Sequence, residues 1–411
     1  MLRASKVEGE RGKPIAETLV GVALLGCAAC SSSGSNTTTV ADAGCASGGD
    51  YAPDAAFQPM FGCSAPYVST TEWTVEKEGF HLAWSLKDAG ALDTVYEPNV
   101  LVDHTPYLPA PSTGISPVQS GISVLHGLIP NLDCELYDGV RDVVVVRDTQ
   151  GLLETKATLY NVTGTYQGQP INWYGLSFTH TQLTGPTDPN IRFAEEVSYD
   201  DNLSFVTQLP GWCALGTADG GNTVPSGIWV PTDGGEQRYL RGVIDTKPAA
   251  EGGTVGEDFK ATALSVLPAA YGGDMSGLGE LYTTDVVIDN SVFPEISGLA
   301  AWEQYLTDVR TAFPDLQLTL DEVAYEAGGA KAALHYTLSG TNTGTSPAFN
   351  FPPTGKAVTW RGVSMLYLQD GKIQKQIRIE DNLGLYYELG QVYVSGAVGQ
   401  MIFSLLQLSG Q

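Results

Sequence analysis

Leu299-Ala300-Ala301-Trp302-Glu303-Gln304-Tyr305-Leu306-Thr307-Asp308-Val309-Arg310-Thr311-Ala312-Phe313-Pro314 decides how this chain folds. Leu299, Trp302, Leu306, Val309 and Phe313 recur every third or fourth residue, the spacing of one face of a helix. Pro314 stops that helix, because its ring nitrogen has no hydrogen to donate. The pattern has an earlier counterpart. Val118, Ile122, Leu125 and Ile129 stand at one constant offset from Trp302, Leu306, Val309 and Phe313, and Pro130 ends that helix in turn. Asn131-Leu132 and Asp315-Leu316 then enter alternating strands.

Working outward, the agreement continues in order. Val102-Asp103-His104 parallels Ile288-Asp289-Asn290, and Ala157-Thr158-Leu159-Tyr160 parallels Ala333-Leu334-His335-Tyr336. Trp173-Tyr174-Gly175 parallels Trp360-Arg361-Gly362, and Asp200-Asp201-Asn202-Leu203 parallels Glu380-Asp381-Asn382-Leu383. A unit this long exceeds any solenoid repeat and reads as a duplicated domain. Each unit opens with a helix, over 72–87 and 257–270, then a shorter helical piece, a short strand and the periodic helix. Long strands follow, at 330–338, 357–369 and 372–379 in the second unit, with Asp370-Gly371 as the hairpin turn between the last two. Helices first and strands later predict an α+β fold of two tandem cone-shaped domains. In each, helices pack on a curved antiparallel sheet and leave a cone for a ligand. The expected domains are 71–211 and 257–390. Between them, 212–256 is a linker with room for an extra hairpin, and 391–411 is an apolar tail.

The chain has 411 residues, enough for two domains, and 43% of them are hydrophobic. With 21 basic and 46 acidic residues the formal net charge is −25. No basic cluster interrupts this acidity, so a nucleic-acid backbone would be repelled and nucleic-acid binding is not expected.

The N-terminus reads as a processing signal. Arg3, Lys6, Arg11 and Lys13 precede the apolar run Leu19-Val20-Gly21-Val22-Ala23-Leu24-Leu25, and Gly26-Cys27 follows. Leu24-Leu25-Gly26-Cys27 resembles a bacterial lipobox, in which Cys27 carries the lipid and becomes the first mature residue. The reading implies a signal over 1–26 and a tether over 27–70, rich in Ser, Thr, Gly and Pro. It also implies a cell-envelope protein held to the membrane by its acyl chains. Of the remaining cysteines, Cys45 and Cys63 flank a Gly/Pro/Asp-rich segment that a disulfide would staple; the pairing stays open.

The second unit resembles the SnoaL-like polyketide cyclases of the nuclear-transport-factor-2-like superfamily. The residues that carry the resemblance are Ala312-Phe313-Pro314-Asp315-Leu316, Ser339-Gly340-Thr341-Asn342-Thr343-Gly344, Thr354-Gly355-Lys356 and Arg361-Gly362-Val363. Asp370-Gly371-Lys372-Ile373, Asp381-Asn382-Leu383-Gly384-Leu385 and Glu388-Leu389-Gly390 complete it. The first unit carries a diverged version. The resemblance implies a ligand-binding cone and, for cyclases, an aspartate acting as general acid/base in an intramolecular aldol closure. That aspartate falls on Asp381, and on Asp201 in the first unit. A histidine after the short strand falls on His104, which the second unit replaces with Asn290. The family commonly dimerises through its open sheet face, so the two units are expected to pack sheet to sheet within one chain.

From the residues themselves, Asp381 shares strand parity with Ile373, Ile377 and Ile379 and so is expected on the helix-covered face, where burial would raise its pKa. Alternatively it caps the helix that follows. Tyr160, Tyr336, Trp173 and Trp360 match between units, as ligand-lining or core aromatics. Arg361 would bind an anionic group or pair with Glu380 on an exposed face; Tyr174 stands in its place in the first unit. No cofactor or metal is expected: five histidines are scattered, no Gly-rich phosphate loop follows a strand, and no nucleophile elbow occurs. Two functions remain open: binding of a small apolar or aromatic molecule, and cofactor-free cyclase, isomerase or hydrolase chemistry at Asp381.

Overall fold

The computed structural model describes residues 79–105, 112–146, 151–183, 192–208, 213–215, 255–290, 293–325, 330–345, 352–390 and 392–394. All of them belong to one unit, Ala46–Gln411. The signal, the tether with Cys45 and Cys63, and the suggested hairpin in the linker lie outside the described residues.

The first half begins with helical turns at His81–Ser85 and Ala89–Thr94. Strands β1 (Tyr96–Thr105) and β2 (Ser112–Thr113), helix α1 (Ser116–Leu128) and strands β3 (Asp133–Val146), β4 (Gly151–Tyr166), β5 (Gln169–Leu183) and β6 (Phe193–Asp200) follow. Helix α2 (Asn202–Thr207) and strand β7 (Cys213–Leu215) close it. The second half runs α3 (Val255–Gly272), α4 (Leu278–Leu281), β8 (Tyr282–Asn290), β9 (Ile296–Ser297) and α5 (Leu299–Ala312). Strands β10 (Gln317–Tyr325), β11 (Lys331–Thr341), β12 (Ala357–Gln369) and β13 (Lys372–Glu380), helix α6 (Asn382–Glu388) and strand β14 (Val392–Val394) complete it. No described helix is long and apolar enough to cross a membrane.

The periodic helices fold as their spacing requires. Trp302, Leu306, Val309 and Phe313 are buried under α5, and Val118, Ile122, Leu125 and Ile129 under α1. Each helix is entered through a glycine with positive φ, Gly114 (+85°) and Gly298 (+90°), a conformation that costs other residues strain. Their N–H groups donate to the carbonyls of Val100 and Val286, both at 2.7 Å. The hairpin at Asp370-Gly371 has positive φ at both residues, as a tight two-residue turn demands, and Gln167-Gly168 does the same between β4 and β5.

Two similar six-stranded sheets result, ordered β2-β1-β6-β5-β4-β3 and β9-β8-β13-β12-β11-β10. This corrects the expected cones of antiparallel sheet. Each sheet is open: the edge strands do not bond to one another, so neither sheet curls closed. Nor is either sheet wholly antiparallel, because β1 runs parallel to β6 and β8 parallel to β13.

The face that does not carry helices packs on the other sheet. Ala157, Leu159, Tyr174, Leu176, Phe178 and Tyr199 form one core cluster with Ala324, Ala333, Val363, Met365, Tyr367, Ile377 and Ile379, each at most 1% exposed. The halves thus meet sheet to sheet in a pseudo-dimeric arrangement, which removes two apolar faces from water. Past the last helix of each half the chain pairs again. Strands β7 and β14 are antiparallel, with Cys213 opposite Val394 and Leu215 opposite Val392. Reading 212–256 as linker and 391–411 as tail did not reveal this pairing, because each strand is only 3 residues long, too short to show an alternating pattern.

Candidate functional site

The residues under the helices of the second sheet are set by a shift in β13. Leu368 pairs with Ile373, but Tyr367 pairs with Lys375, so one residue bulges between them. The bulge reverses the parity of everything after it. Ile373 faces the helices, whereas Ile377 and Ile379 join the core between the sheets. Gln376, Arg378 and Glu380 are turned beneath the helices instead. This corrects the parity argument for Asp381, whose strand-mates Ile377 and Ile379 face the other sheet.

Arg378 is buried at 2% exposure and Glu380 at 6%. The Glu380 carboxylate accepts from Arg378 Nη2, from the Tyr336 hydroxyl at 2.8 Å and from Trp360 Nε1 at 3.3 Å. Room for this comes from Gly362, where a Cβ would lie 2.7 Å from Glu380 Cγ and 2.8 Å from the Tyr336 ring. The guanidinium lies over the Trp302 ring at 5.0 Å and the Tyr305 ring at 5.5 Å, and those rings stack on each other at 5.4 Å and 12°. Asn290 is in register with Arg378 across the parallel pair. Burial opposes the charge on Arg378, but Glu380 together with Tyr271, Tyr336 and Tyr305 raises its pKa and keeps the guanidinium protonated. Burial, then the charge of Glu380, pushes the Tyr336 hydroxyl pKa upward, so it stays a donor.

Trp302, Asn290 and Arg378 turn their remaining donors toward tyrosine hydroxyls, Trp302 toward Tyr282, Asn290 toward Tyr305, and Arg378 toward Tyr305 and Tyr336. Further along the face, the Tyr282 hydroxyl donates to Gln376 Oε1 at 3.0 Å, and Gln376 donates to Ser364 at 3.0 Å.

On the first sheet the same frame holds different groups. Trp173 Nε1 donates to Asp200 at 2.8 Å, and the Tyr160 hydroxyl meets Ser198 at 2.9 Å. Tyr96 and Ser177 donate to Glu196 at 2.6 and 2.5 Å, the places of Tyr282, Ser364 and Gln376. Ser198 stands where the second sheet has Arg378.

The sequence-derived candidates therefore separate. Tyr336, Trp360 and Asn290 join the cluster under the second sheet's helices, and Tyr160 and Trp173 occupy the matched places on the first. Asp381 sits where the two halves meet. Its Oδ1 accepts from the Gly384 N–H at 2.9 Å, capping α6, and from Asn202 Nδ2 of the first half at 2.6 Å. Burial raises its pKa, against the lowering effect of those two bonds. Gly384 is needed here, since a Cβ would fall 2.2 Å from Asp381 Oδ2. Asp201 is fully buried and accepts from the Ser204 N–H at 3.1 Å. His104 pairs in register with Ser198 along β1 and β6; its side chain lies outside the described residues, as does Cys27. Arg361 does not pair with Glu380. It reaches across the interface to Asp103 at 2.9 Å, while Glu380 is buried rather than exposed.

Sequence reasoning missed Arg378, Trp302 and Tyr305 as site residues and misplaced Glu380. One signal was available: three polar residues, Gln376, Arg378 and Glu380, alternate in a strand that the rest of the sequence treats as core. Among the described residues no three His, Cys, Asp or Glu side chains stand together as a metal site.

Each half is thus a layered α+β domain with a polar cluster beneath its helices. Residues 263–389, less than a third of the chain, match the family model described as SnoaL-like polyketide cyclase, so this segment is similar to that family. Among solved structures, TsrD from Streptomyces laurentii is 24% identical, covering 34% of this chain and 96% of that one at a TM-score of 0.29. A SnoaL-like polyketide cyclase from Agrobacterium tumefaciens is 18% identical, covering 33% and 98% at a TM-score of 0.27. No curated protein matches the chain.

Proposed function

We propose that the second half binds a small aromatic or apolar molecule on the helix-covered face of its sheet, and that the first half is a diverged copy serving as its packing partner. The observation that carries this is the cluster of Arg378, Glu380 and Asn290, buried beneath the helices beside the Trp302 and Tyr305 rings, within the segment that matches the SnoaL-like model. Charged side chains are rarely buried in plain core. The flanking rings of Trp302, Tyr305 and Tyr336 suit a flat ligand. Fragment screening by NMR tests the reading. The Trp302 indole N–H resonance, assigned by its loss in Trp302→Phe, should shift on saturation with a bound fragment. A library of small aromatics that leaves it unmoved removes the site.

A second reading is cofactor-free cyclase, isomerase or hydrolase chemistry with Asp381 as general acid/base. The raised pKa of its buried carboxyl favours it. Asp381→Asn keeps the cap and removes the proton-transferring group. Turnover of a substrate found by screening ketones, esters and lactones should fall about 10²–10⁴-fold. Undiminished turnover leaves Asp381 as a cap and interface residue.

Export as a lipoprotein belongs to the same proposal, supported by the basic residues, the apolar run and Leu24-Leu25-Gly26-Cys27. The protein then sits in the bacterial cell envelope, anchored through Cys27. Intact-mass analysis of membrane-extracted protein should find Cys27 acylated; a mature form with Cys27 unmodified refutes it.

A further inference from the structure

We infer that the seam between the two sheets is a pH-sensitive device worked by His335: a proton on this imidazole loosens the hold of one half on the other.

The seam carries two histidines in opposite settings. His180 of β5 has its Nε2 2.9 Å from Glu322 Oε1 and 3.0 Å from Oε2, with Glu195 Oε2 3.5 Å from Nδ1. A proton there is met by a carboxylate on each side of the ring. His335 of β11 lies instead against the Phe178 and Tyr199 rings of the other half, at 6.1 and 5.6 Å between ring centres. Its side chain is only 13% exposed.

The carboxylates that face His335 are already engaged. Glu322 is its partner in register across β10 and β11, yet that carboxylate is turned to His180 and to the Thr155 hydroxyl at 3.0 Å. Asp321, the residue that the pairing of β10 skips, has Oδ2 3.9 Å from His335 Nε2, beyond hydrogen-bond reach, and accepts from Thr337 at 2.7 Å. Asp103 of β1 is held by Arg361 of β12 at 2.9 Å, which brings a cation to the same place.

Burial is the largest influence on the ring and opposes its charge. Asp321 and Glu322 pull the other way, Arg361 adds to burial and Asp103 opposes it; burial wins, and the His335 pKa is lowered. A lowered histidine stabilises above its unfolded pKa, and the gain is lost as pH falls through the folded value. His180 keeps its proton and its carboxylates over that range, until Glu322 is itself protonated. Mild acid therefore acts on the seam through His335 and not through His180.

Two measurements on the full chain test this. The imidazole resonances of His335, assigned by their loss in His335→Phe, should titrate with a midpoint below that of free histidine. Met365 is fully buried in the core between the sheets, so peroxide oxidation of its thioether, read by mass spectrometry, reports opening of the seam. As pH falls from about 7 to about 5, across the range of a free imidazole, that oxidation should speed up several-fold in the unaltered protein. It should stay nearly level in His335→Phe, which keeps a ring between Phe178 and Tyr199 but cannot be charged. His335→Gln, also unable to take a proton, decides the matter if the phenylalanine variant does not fold. A Met365 rate that stays level in the unaltered protein, an equal rise in protein and variant, or a His335 midpoint at or above that of free histidine overturns the inference.

Discussion

On the first sheet Asp200 receives the Trp173 indole while Tyr160 meets Ser198; on the second, Glu380 receives Trp360, Tyr336 and Arg378 together. The frame of strand, tyrosine and tryptophan is held in both. Glutamate, one methylene longer than aspartate, reaches the tyrosine that Asp200 leaves to Ser198. The arginine that replaces serine then introduces a buried cation whose remaining donors face the helices. A scaffold can thus be preserved in its hydrogen bonds while its chemistry is moved by two residues, so likeness of fold does not make the two halves alike in function.

The sharpest way to break this comparison is to remove the acid on each sheet. Glu380→Leu strands a buried guanidinium and should cost about 3–5 kcal/mol of unfolding free energy in denaturant titration. Asp200→Leu strands no arginine and should cost about 1–3 kcal/mol. Equal losses would mean that the guanidinium of the second sheet is satisfied in another way. Next in size are the matched glycines. A Cβ at Gly175 would lie 2.0 Å from the Tyr160 ring, closer than the 2.8 Å at Gly362. Gly175→Ala and Gly362→Ala should each cost about 1–3 kcal/mol, with Gly175→Ala the worse by thermal unfolding.

The contacts between the sheets are unlike at matched positions, and they give the third prediction. His180 of the first sheet contacts Glu322 of the second at 2.9 Å, whereas Tyr367 fills the place of His180 on the second sheet. Burial works against the charged imidazole, but the bond to Glu322 and the charges of Glu322 and Glu195 raise its pKa. Burial likewise opposes the Glu322 carboxylate, and His180 and Thr155 lower its pKa in return. A raised histidine stabilises fully below its unfolded pKa, and the gain is lost as pH rises through the folded value. A lowered carboxylate stabilises above its unfolded pKa and loses that gain as pH falls through the folded value. The pair should therefore contribute most in mildly acidic solution, between the lowered Glu322 and the raised His180. His180→Gln should flatten the melting-temperature profile on the alkaline side of that window. An unchanged profile would assign the interface to apolar packing alone. The smallest effect is expected at Arg361, which pairs with Asp103 while its own side chain is 49% exposed. Arg361→Ala should change stability by about 0–1 kcal/mol, and high salt should erase the difference.

Much of this was legible in the chain. The helix faces at Trp302 and Val118, their proline stops and the Asp370-Gly371 turn follow from periodicity and turn chemistry, while the meeting of the two sheets was implied by the family resemblance of the repeated units. Such signals act over a few residues, or recur, and so survive in a linear string. The site was legible only in part. Tyr336, Trp360 and Asn290 were singled out, but the strand-parity placement of Asp381 and the pairing of Arg361 with Glu380 do not survive the fold, whereas the alternative that Asp381 caps the following helix does. A single bulged residue in β13 turns Arg378 and Glu380 under the helices and sends Ile377 and Ile379 the other way.

What the sequence determined by itself was therefore the local grammar: which segments are helix or strand, where each stops, and that the second pattern echoes the first. What only the tertiary structure decided was which side chains share a space. Whether a sheet stays open depends on hydrogen bonds at strand edges far apart in the chain, and here the edges do not meet. Whether Asp381 faces a ligand or a neighbouring half depends on Asn202, distant in sequence and 2.6 Å away in space. Pairings of that kind are set by packing across the whole molecule, and no periodicity in the chain encodes them.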